Sequence, residues 1–144
     1  VAKTGRRFKR IIGGEESKAH QWPWQAEIVL RNTTSKRYEH RCGGTLIGRE
    51  LVVTAASCMF NKDKYFFRVK LGEHIRDKYD YYHETDHWIS VIHLHSRFLA
   101  DQEYAYDIAL LKIYPPASIS SAVYPISLPK LFEQVPVGTK CTMS

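Results

Sequence analysis

Short apolar or β-branched runs recur along this sequence, each bounded by Gly, Pro, Asn or Asp. In Phe67–Leu71 apolar and charged residues alternate, as they do in a strand with one buried face. No stretch keeps a helical period over a dozen residues. The predicted strands are Gln25–Leu30, Leu51–Thr54, Tyr65–Leu71, Trp88–Leu94 and Asp107–Ile113. Several short strands with turns between them predict an all-β barrel or sandwich.

The size and composition of the chain fit one modest hydrophobic core. It has 144 residues, of which 44% are hydrophobic, enough for a single small domain. No run of about 18 apolar residues occurs, so the sequence predicts no membrane span. The sequence opens with no signal peptide, and it stops with no turn, cap or charged tail. We therefore expect both ends to be cut.

The positive charge is concentrated in a short leader. The net charge is +6, but residues 1–10 hold five basic side chains and no acid. The remaining residues hold 16 basic and 15 acidic side chains, a net of +1. The chain has no RNA-binding signature, helical basic stripe or Gly-rich phosphate loop, so we expect it to bind no nucleic acid. The leader itself is predicted to bind polyanions such as heparin.

The positions of the cysteines indicate a disulfide-bonded hairpin, as in extracellular proteins. Cys42 and Cys58 flank an apolar segment that turns at Gly48, and the returning strand brings them together. A disulfide closing 17 residues would stabilise the fold by about 3 kcal/mol. Three reduced cysteines are the alternative, and Cys141 has no partner in either case. The Asn32-Thr33-Thr34 sequon predicts glycosylation at Asn32 and agrees with a secreted, extracellular protein.

Five motifs follow one another along residues 10–144. They are Arg10-Ile11-Ile12-Gly13-Gly14 with Trp22-Pro23-Trp24-Gln25, Cys42-Gly43-Gly44-Thr45-Leu46-Ile47, Val53-Thr54-Ala55-Ala56-Ser57-Cys58, Asp107-Ile108-Ala109-Leu110-Leu111-Lys112 and Val137-Gly138-Thr139-Lys140-Cys141. In this order and spacing they resemble the motifs of trypsin-family (S1, chymotrypsin-fold) serine proteases. The resemblance implies the first antiparallel β-barrel of a chymotrypsin-like double barrel, with the second barrel missing from this chain.

The same resemblance divides the chain. Residues 1–10 are similar to a pro-segment, which an activating protease, trypsin-like or furin-like, would cut between Arg10 and Ile11 of the zymogen. Residues 11–144 are then a partial trypsin-like domain. The first barrel runs to about 113, a Pro-rich linker covers about 114–134, and the first strand of the second barrel covers about 135–144.

Two departures from the family pattern bear on catalysis. Asp107 stands at the position of the triad aspartate, but Ser57 stands where the family has its catalytic histidine. A neutral hydroxyl cannot act as a general base near pH 7, so a nucleophile would stay an unactivated alcohol. We expect Asp107 to be a partly buried carboxylate hydrogen-bonded to Ser57. The nucleophilic serine and oxyanion donors lie in the family's second barrel, so the chain is predicted to be inactive as written.

Two functions follow from the resemblance. The first is a secreted non-catalytic homologue, a pseudoprotease whose surface loops bind an unidentified protein partner in a proteolytic cascade, immune or venom setting. The alternative is the N-terminal fragment of a secreted trypsin-like endopeptidase altered at Ser57. A Gly-Asp-Ser-Gly-Gly segment in the full-length transcript would favour an enzyme precursor or a recent loss of the histidine, and its absence would favour an old pseudoprotease.

The remaining candidate sites are weaker. Glu73, Asp80 and Glu84 fall in the loop that binds calcium in some relatives, and hard oxygen ligands suit that ion. Arg76 and Lys78 oppose it, so we predict no cofactor and keep calcium as the alternative. The histidines at 83, 87, 93 and 95 are predicted to lie on the surface and not to form a zinc site. The basic loop Arg31–Arg41, with Lys36 and Arg37, is either a binding surface or solvated.

Overall fold

The computed structural model describes residues 17–74, 83–98 and 105–144. Six strands make up most of the regular structure: β1 (Gln25–Arg31), β2 (Tyr38–Gly48), β3 (Leu51–Thr54), β4 (Phe67–Leu71), β5 (Thr85–Leu94) and β6 (Ala109–Tyr114). A short helix α1 (Ala56–Met59) and a 3₁₀ turn (Lys64–Phe66) lie between β3 and β4. The predictions on the leader, the Arg10–Ile11 cleavage site and Asp80 lie outside the described residues.

The six strands close into one antiparallel barrel. Their order is β1-β2-β3-β6-β5-β4, and β4 pairs back onto β1. Every pairing is antiparallel, and because the barrel is closed, each of the six described strands pairs with a neighbour on both sides. The prediction of an all-β barrel is therefore confirmed. In the part of the chain that the structure describes, no helix is long and apolar enough to cross a membrane.

The barrel interior follows the alternation seen in the sequence. In β4 the side chains of Phe67, Val69 and Leu71 are buried, while Arg68 and Lys70 point to the outer face. Successive strand residues face opposite sides of a sheet, so one face of each strand supplies the core. The other fully buried large side chains are Ile28, Leu46, Val52, Leu111 and Ile113.

The hairpin of β2 and β3 leads into α1. The ladder pairs Thr45 with Val53 and Leu46 with Val52, and the chain turns at Gly48 to Leu51. Cys42 in β2 and Cys58 in α1 are joined by a disulfide with their Cα atoms 6.2 Å apart. The predicted disulfide is confirmed, and Cys141 is free and exposed.

A glycine fixes the loop that follows β4. Gly72 has a φ of +78°, and a Cβ atom there would lie 2.1 Å from the carbonyl oxygen of His83. An L side chain would be strained by the dihedral and would also clash with backbone. The close approach holds the end of β4 against the residues that precede β5.

The chain after β6 has no helix or strand. Its first part packs on the barrel through Ala117, Ala122 and Val123, which are buried. The amide of Ile126 donates to the carbonyl oxygen of Leu46 at 2.9 Å. Residues 135–144 pair with no strand among the residues described here, and their assignment to a second barrel stays a prediction.

Candidate active-site remnant

Strand pairing brings Ser57 and Asp107 together. Residues Thr54 and Ala109 are partners where β3 and β6 meet. Ser57 follows Thr54 by three residues on α1, and Asp107 precedes Ala109 by two. Because antiparallel neighbours run in opposite directions, the segment leaving β3 lies beside the segment entering β6. Two residues 50 positions apart in the sequence are thus held side by side.

Both oxygens of the Asp107 carboxylate bind Ser57. The Ser57 amide donates to Oδ1 at 2.6 Å, and the Ser57 hydroxyl donates to Oδ2 at 2.8 Å. Both residues are half-buried. The contact that we expected between the carboxylate and Ser57 is present.

This arrangement fixes the proton of the serine hydroxyl. A hydroxyl has one proton to donate, and that of Ser57 points at Asp107. Only hydroxyl lone pairs would then face a nucleophile on the open side, and a neutral alcohol is far too weak a base to take a proton at pH 7. The Ser57 hydroxyl can accept a hydrogen bond but is too weak a base to take a proton as an imidazole would near pH 7.

An open cleft of about 580 Å³ surrounds the pair. Its walls are formed by Arg41, Cys42, Ser57, Cys58, Phe60, Asn61, Phe98 and Asp107. Phe60 and Phe98 meet edge to face with ring centroids 5.6 Å apart. The Arg41 side chain crosses to the carbonyl oxygen of Cys58 at 3.4 Å. These described walls contain apolar, cationic and hydrogen-bonding groups, and no imidazole.

The histidine nearest in sequence to Asp107 lies outside these walls. His95 stacks on Tyr106 with ring centroids 4.9 Å apart and an interplanar angle of 5°. Its Nδ1 accepts a hydrogen bond from the amide of Arg97 at 3.1 Å. With the ring held in this stack, His95 does not stand in for a base beside Ser57.

One histidine differs from its sequence prediction. His87 is buried and is not a surface residue, because it lies on the inner face of β5. Its Nδ1 pairs with the carbonyl oxygen of Pro115 at 2.6 Å, and its Nε2 pairs with the hydroxyl of Thr85 at 2.9 Å. Among the described residues no group of three His, Cys, Asp or Glu side chains could hold a metal ion.

Glu84, one candidate calcium ligand, is paired with the ammonium group of Lys70. Its side chain is fully buried, and its Oε1 lies 2.5 Å from the ammonium of Lys70. Burial lowers the pKa of Lys70, but the hydrogen bond to Glu84 and the nearby carboxylates outweigh this and raise the pKa above its ordinary value. One signal of this pair is visible in the sequence, since the alternation in β4 places Lys70 on the outer face.

Glu73, the second candidate ligand, carries a proton at neutral pH. Burial, a hydrogen bond with Glu27 and the charge of Glu27 raise the pKa of Glu73 to about 8. Glu27 in turn binds the Nδ1 of His40 at 2.7 Å. A neutral carboxyl group is a poor ligand for a hard cation. The third candidate, Asp80, lies outside the described residues.

Asn32 sits at the start of the loop between β1 and β2. Its Oδ1 accepts hydrogen bonds from the amides of Thr34 at 2.8 Å and Ser35 at 3.0 Å. Its Nδ2 donates to Glu39 at 2.9 Å. These bonds shape the loop as an Asx turn. Glycosylation of Asn32 stays a prediction.

Comparison with known proteins agrees with this geometry. A family model described as Trypsin matches residues 11–144. A protein named tryptase from Mus musculus is 40% identical over 133 residues, which cover 91% of this chain and 46% of the relative. Ovochymase-2 from Mus musculus is 33% identical over 136 residues, covering 94% of this chain and 21% of the relative. The chain therefore spans less than half the length of these two relatives.

Proposed function

Because this chain belongs to the trypsin family, we propose that it is the first barrel of a secreted homologue that binds a protein partner without cleaving it. The observation that carries the proposal is the double hydrogen bond between Ser57 and Asp107. It orients the Ser57 hydroxyl as a donor, and the resemblance of the surrounding motif aligns Ser57 with the family's histidine.

The loss of that base is decisive for the family's reaction. In serine proteases the imidazole takes a proton from the attacking serine and later gives it to the leaving amine. Removing the base of such a triad costs on the order of 10⁶ in kcat. The carboxylate of Asp107 would orient that imidazole, but here it is hydrogen-bonded to Ser57. Because the described cleft contains no imidazole, the protein would act through surfaces that bind other proteins.

Secretion and processing are part of the same proposal. The Cys42–Cys58 disulfide suits an oxidising compartment, and the sequon at Asn32 suits the secretory route. An activating protease would cut after Arg10 and release a leader with five positive charges. Until that cut, the leader would give the protein an added affinity for polyanions.

Peptide hydrolysis by the secreted full-length protein tests the proposal. We expect the rate after cleavage at Arg10 to equal that of the Ser57→Ala variant, because neither protein has a base. A higher rate for the natural protein than for Ser57→Ala would overturn the proposal. The alternative, an endopeptidase altered at this position, predicts that Ser57→His regains at least a hundredfold of the rate, consistent with the usual contribution of a general base.

A further inference from the structure

The outer face of the barrel carries a stacked cation. The Arg68 guanidinium lies 3.2 Å from the ring centroid of Trp88 and 5.3 Å from that of Tyr38. Trp88 is 53% exposed and Tyr38 is 39% exposed. We call these three residues the Arg68 patch. Its residues come from β2, β4 and β5, and it does not include the residues that line the cleft.

The strand register assembles the patch. Val69 and His87 are partners between β4 and β5, so Arg68 and Trp88 are neighbours that both point outward. In β1, Val29 pairs with Arg68 and Arg31 pairs with Tyr38. Backbone hydrogen bonds between paired strands therefore hold the residues of the patch in place. Because these residues are already ordered, binding a ligand there requires little further ordering of side chains.

Further aromatic side chains extend this face. Tyr114 is the cross-strand partner of Trp88 and is 65% exposed. Tyr65, at the edge of the same face, is 68% exposed and has the ammonium of Lys64 5.5 Å from its ring. Exposed Trp, Tyr and Arg are enriched where proteins bind each other, since they bury much apolar area and keep a polar end.

The face also carries an excess of positive charge. Over the described residues, none of the side chains of Arg31, Lys36, Arg37 and Arg68 has a carboxylate within 4.0 Å. Glu39, the one acid between Arg31 and Arg41, accepts hydrogen bonds from Asn32 and Ser35, and Asp86 is exposed two residues before Trp88 on the same face of β5. Four cations against these two carboxylates leave a net charge of +2.

The stacked guanidinium is ready to bind a carboxylate. Trp88 covers its face, while Nη1 donates to the carbonyl oxygens of Phe67 at 2.6 Å and Tyr65 at 3.4 Å. The other edge keeps N–H donors in the plane of the group, in the fork that matches a carboxylate. Stacking lowers the conformational freedom of the arginine, so less is lost when it binds.

We propose that the Arg68 patch binds an acidic peptide segment of the partner protein, with one carboxylate on Arg68 and an aromatic side chain of the peptide against Trp88 and Tyr114. The inference rests on the proposed function, because it names the chemistry of the partner. A sulfated polysaccharide would need cations alone. The interleaved aromatic rings favour a peptide that carries both carboxylates and apolar groups.

Fluorescence anisotropy with a short labelled peptide that alternates Glu and Tyr tests the patch on the secreted full-length protein. We expect Arg68→Met to weaken binding at least about tenfold, equivalent to about 1.4 kcal/mol, and Trp88→Ala to weaken it similarly. Arg97→Met is the matched control, because Arg97 also lies over an exposed ring, that of Tyr106, at 5.7 Å. It should bind the peptide as the natural protein does.

Three results would overturn the inference. They are unchanged binding by Arg68→Met, an equal loss with Arg97→Met, and heparin displacing the peptide while Trp88→Ala binds both normally. The last result would identify a polysaccharide site. Thermal unfolding of each variant shows whether the barrel is intact. Since this assay involves no catalysis, hydrolytic activity in the natural protein would refute the proposed function and leave the patch to be judged by binding alone.

Discussion

At the scale of single residues, the Ser57–Asp107 pair has a structural role. The Asp107 carboxylate accepts hydrogen bonds from the backbone amide of Ser57, near the start of α1, and from the Ser57 hydroxyl. In the family template the same carboxylate would hold an imidazole. Here its two bonds tie α1 to the segment before β6.

Asp107→Asn should therefore lower stability. The amide group keeps one acceptor oxygen but turns its NH₂ toward one of the two Ser57 donors, so one bond to a charged acceptor is lost. We expect a decrease of about 1–3 kcal/mol in the free energy of unfolding, measured by urea denaturation. Asp63→Asn is the control, since Asp63 is exposed and accepts a single amide bond from Tyr65. Equal effects in both variants would contradict a structural role for Asp107.

Glu73 makes stability depend on pH. Its pKa is about 8 in the folded protein against an ordinary value of 4.5. Between these values the unfolded chain has released the proton while the folded protein keeps it. More protons are bound in the folded state, so this group lowers stability as pH rises from about 4.5 to 8, with no further change above 8.

Glu73→Gln removes that dependence. We expect the variant to match the natural protein in Tm below pH 4.5 and to become the more stable of the two as pH approaches 8. Thermal unfolding across this range measures the difference. The same substitution at half-buried Glu50 controls for the loss of a carboxylate. A difference in Tm between Glu73→Gln and the natural protein that is constant with pH would refute the raised pKa.

At the scale of elements, the alternating runs contain enough information to place five strands. Phe67–Leu71 is the clearest case, because a slip of one residue would bury Arg68 and Lys70. The polar first half of β2, from Tyr38, was not predicted, because its side chains are exposed on both faces. This half of β2 is a strand because its backbone pairs with β1. The pattern of apolar and polar side chains in the sequence does not reveal such backbone pairing.

The candidate site was predictable to a similar degree. Motif order identified Ser57 and Asp107, while their hydrogen-bond geometry depends on the register between β3 and β6. The contact of Arg68 with Trp88 and that of Lys70 with Glu84 join residues 20 and 14 positions apart. No local pattern reports these distances, because they depend on how the barrel closes.

The Lys70–Glu84 pair ties β4 to the residues before β5. Lys70→Met keeps the length of the side chain but leaves the fully buried carboxylate without its cation. We expect a loss of about 3 kcal/mol in the free energy of unfolding. Lys112→Met is the matched control: its ammonium lies 3.6 Å from Glu50, both side chains are about half exposed, and such solvent-accessible pairs contribute less than about 1 kcal/mol. Equal losses would show that Lys70 acts only through its hydrocarbon chain.

At the scale of the whole molecule, two basic regions have different expected partners. The leader has five cations in ten residues, a density suited to polyanions. The Arg68 patch interleaves cations with exposed aromatic rings, a composition suited to an acidic peptide. Both regions belong to a chain whose described cleft contains no imidazole, and we propose that these two binding surfaces account for its function.

Removal of the leader should weaken binding to heparin. Cleavage after Arg10 takes away five positive charges, and binding to a polyanion falls with the number of charges neutralised and with salt. We expect the uncut protein to elute from a heparin column at distinctly higher salt than the cut protein. Equal elution before and after cutting, with loss on replacing Lys36 and Arg37, would instead place the polyanion site in the hairpin.

Labelling by a serine-directed phosphonate probe most directly tests whether the protein is non-catalytic. The secreted full-length protein, cut after Arg10, would be incubated with the probe beside mouse tryptase as a positive control. With Ser57 donating its proton to Asp107 and no base in the cleft, we predict no labelling above that of the Ser57→Ala variant. Labelling of the natural protein at a rate near that of tryptase would contradict this account.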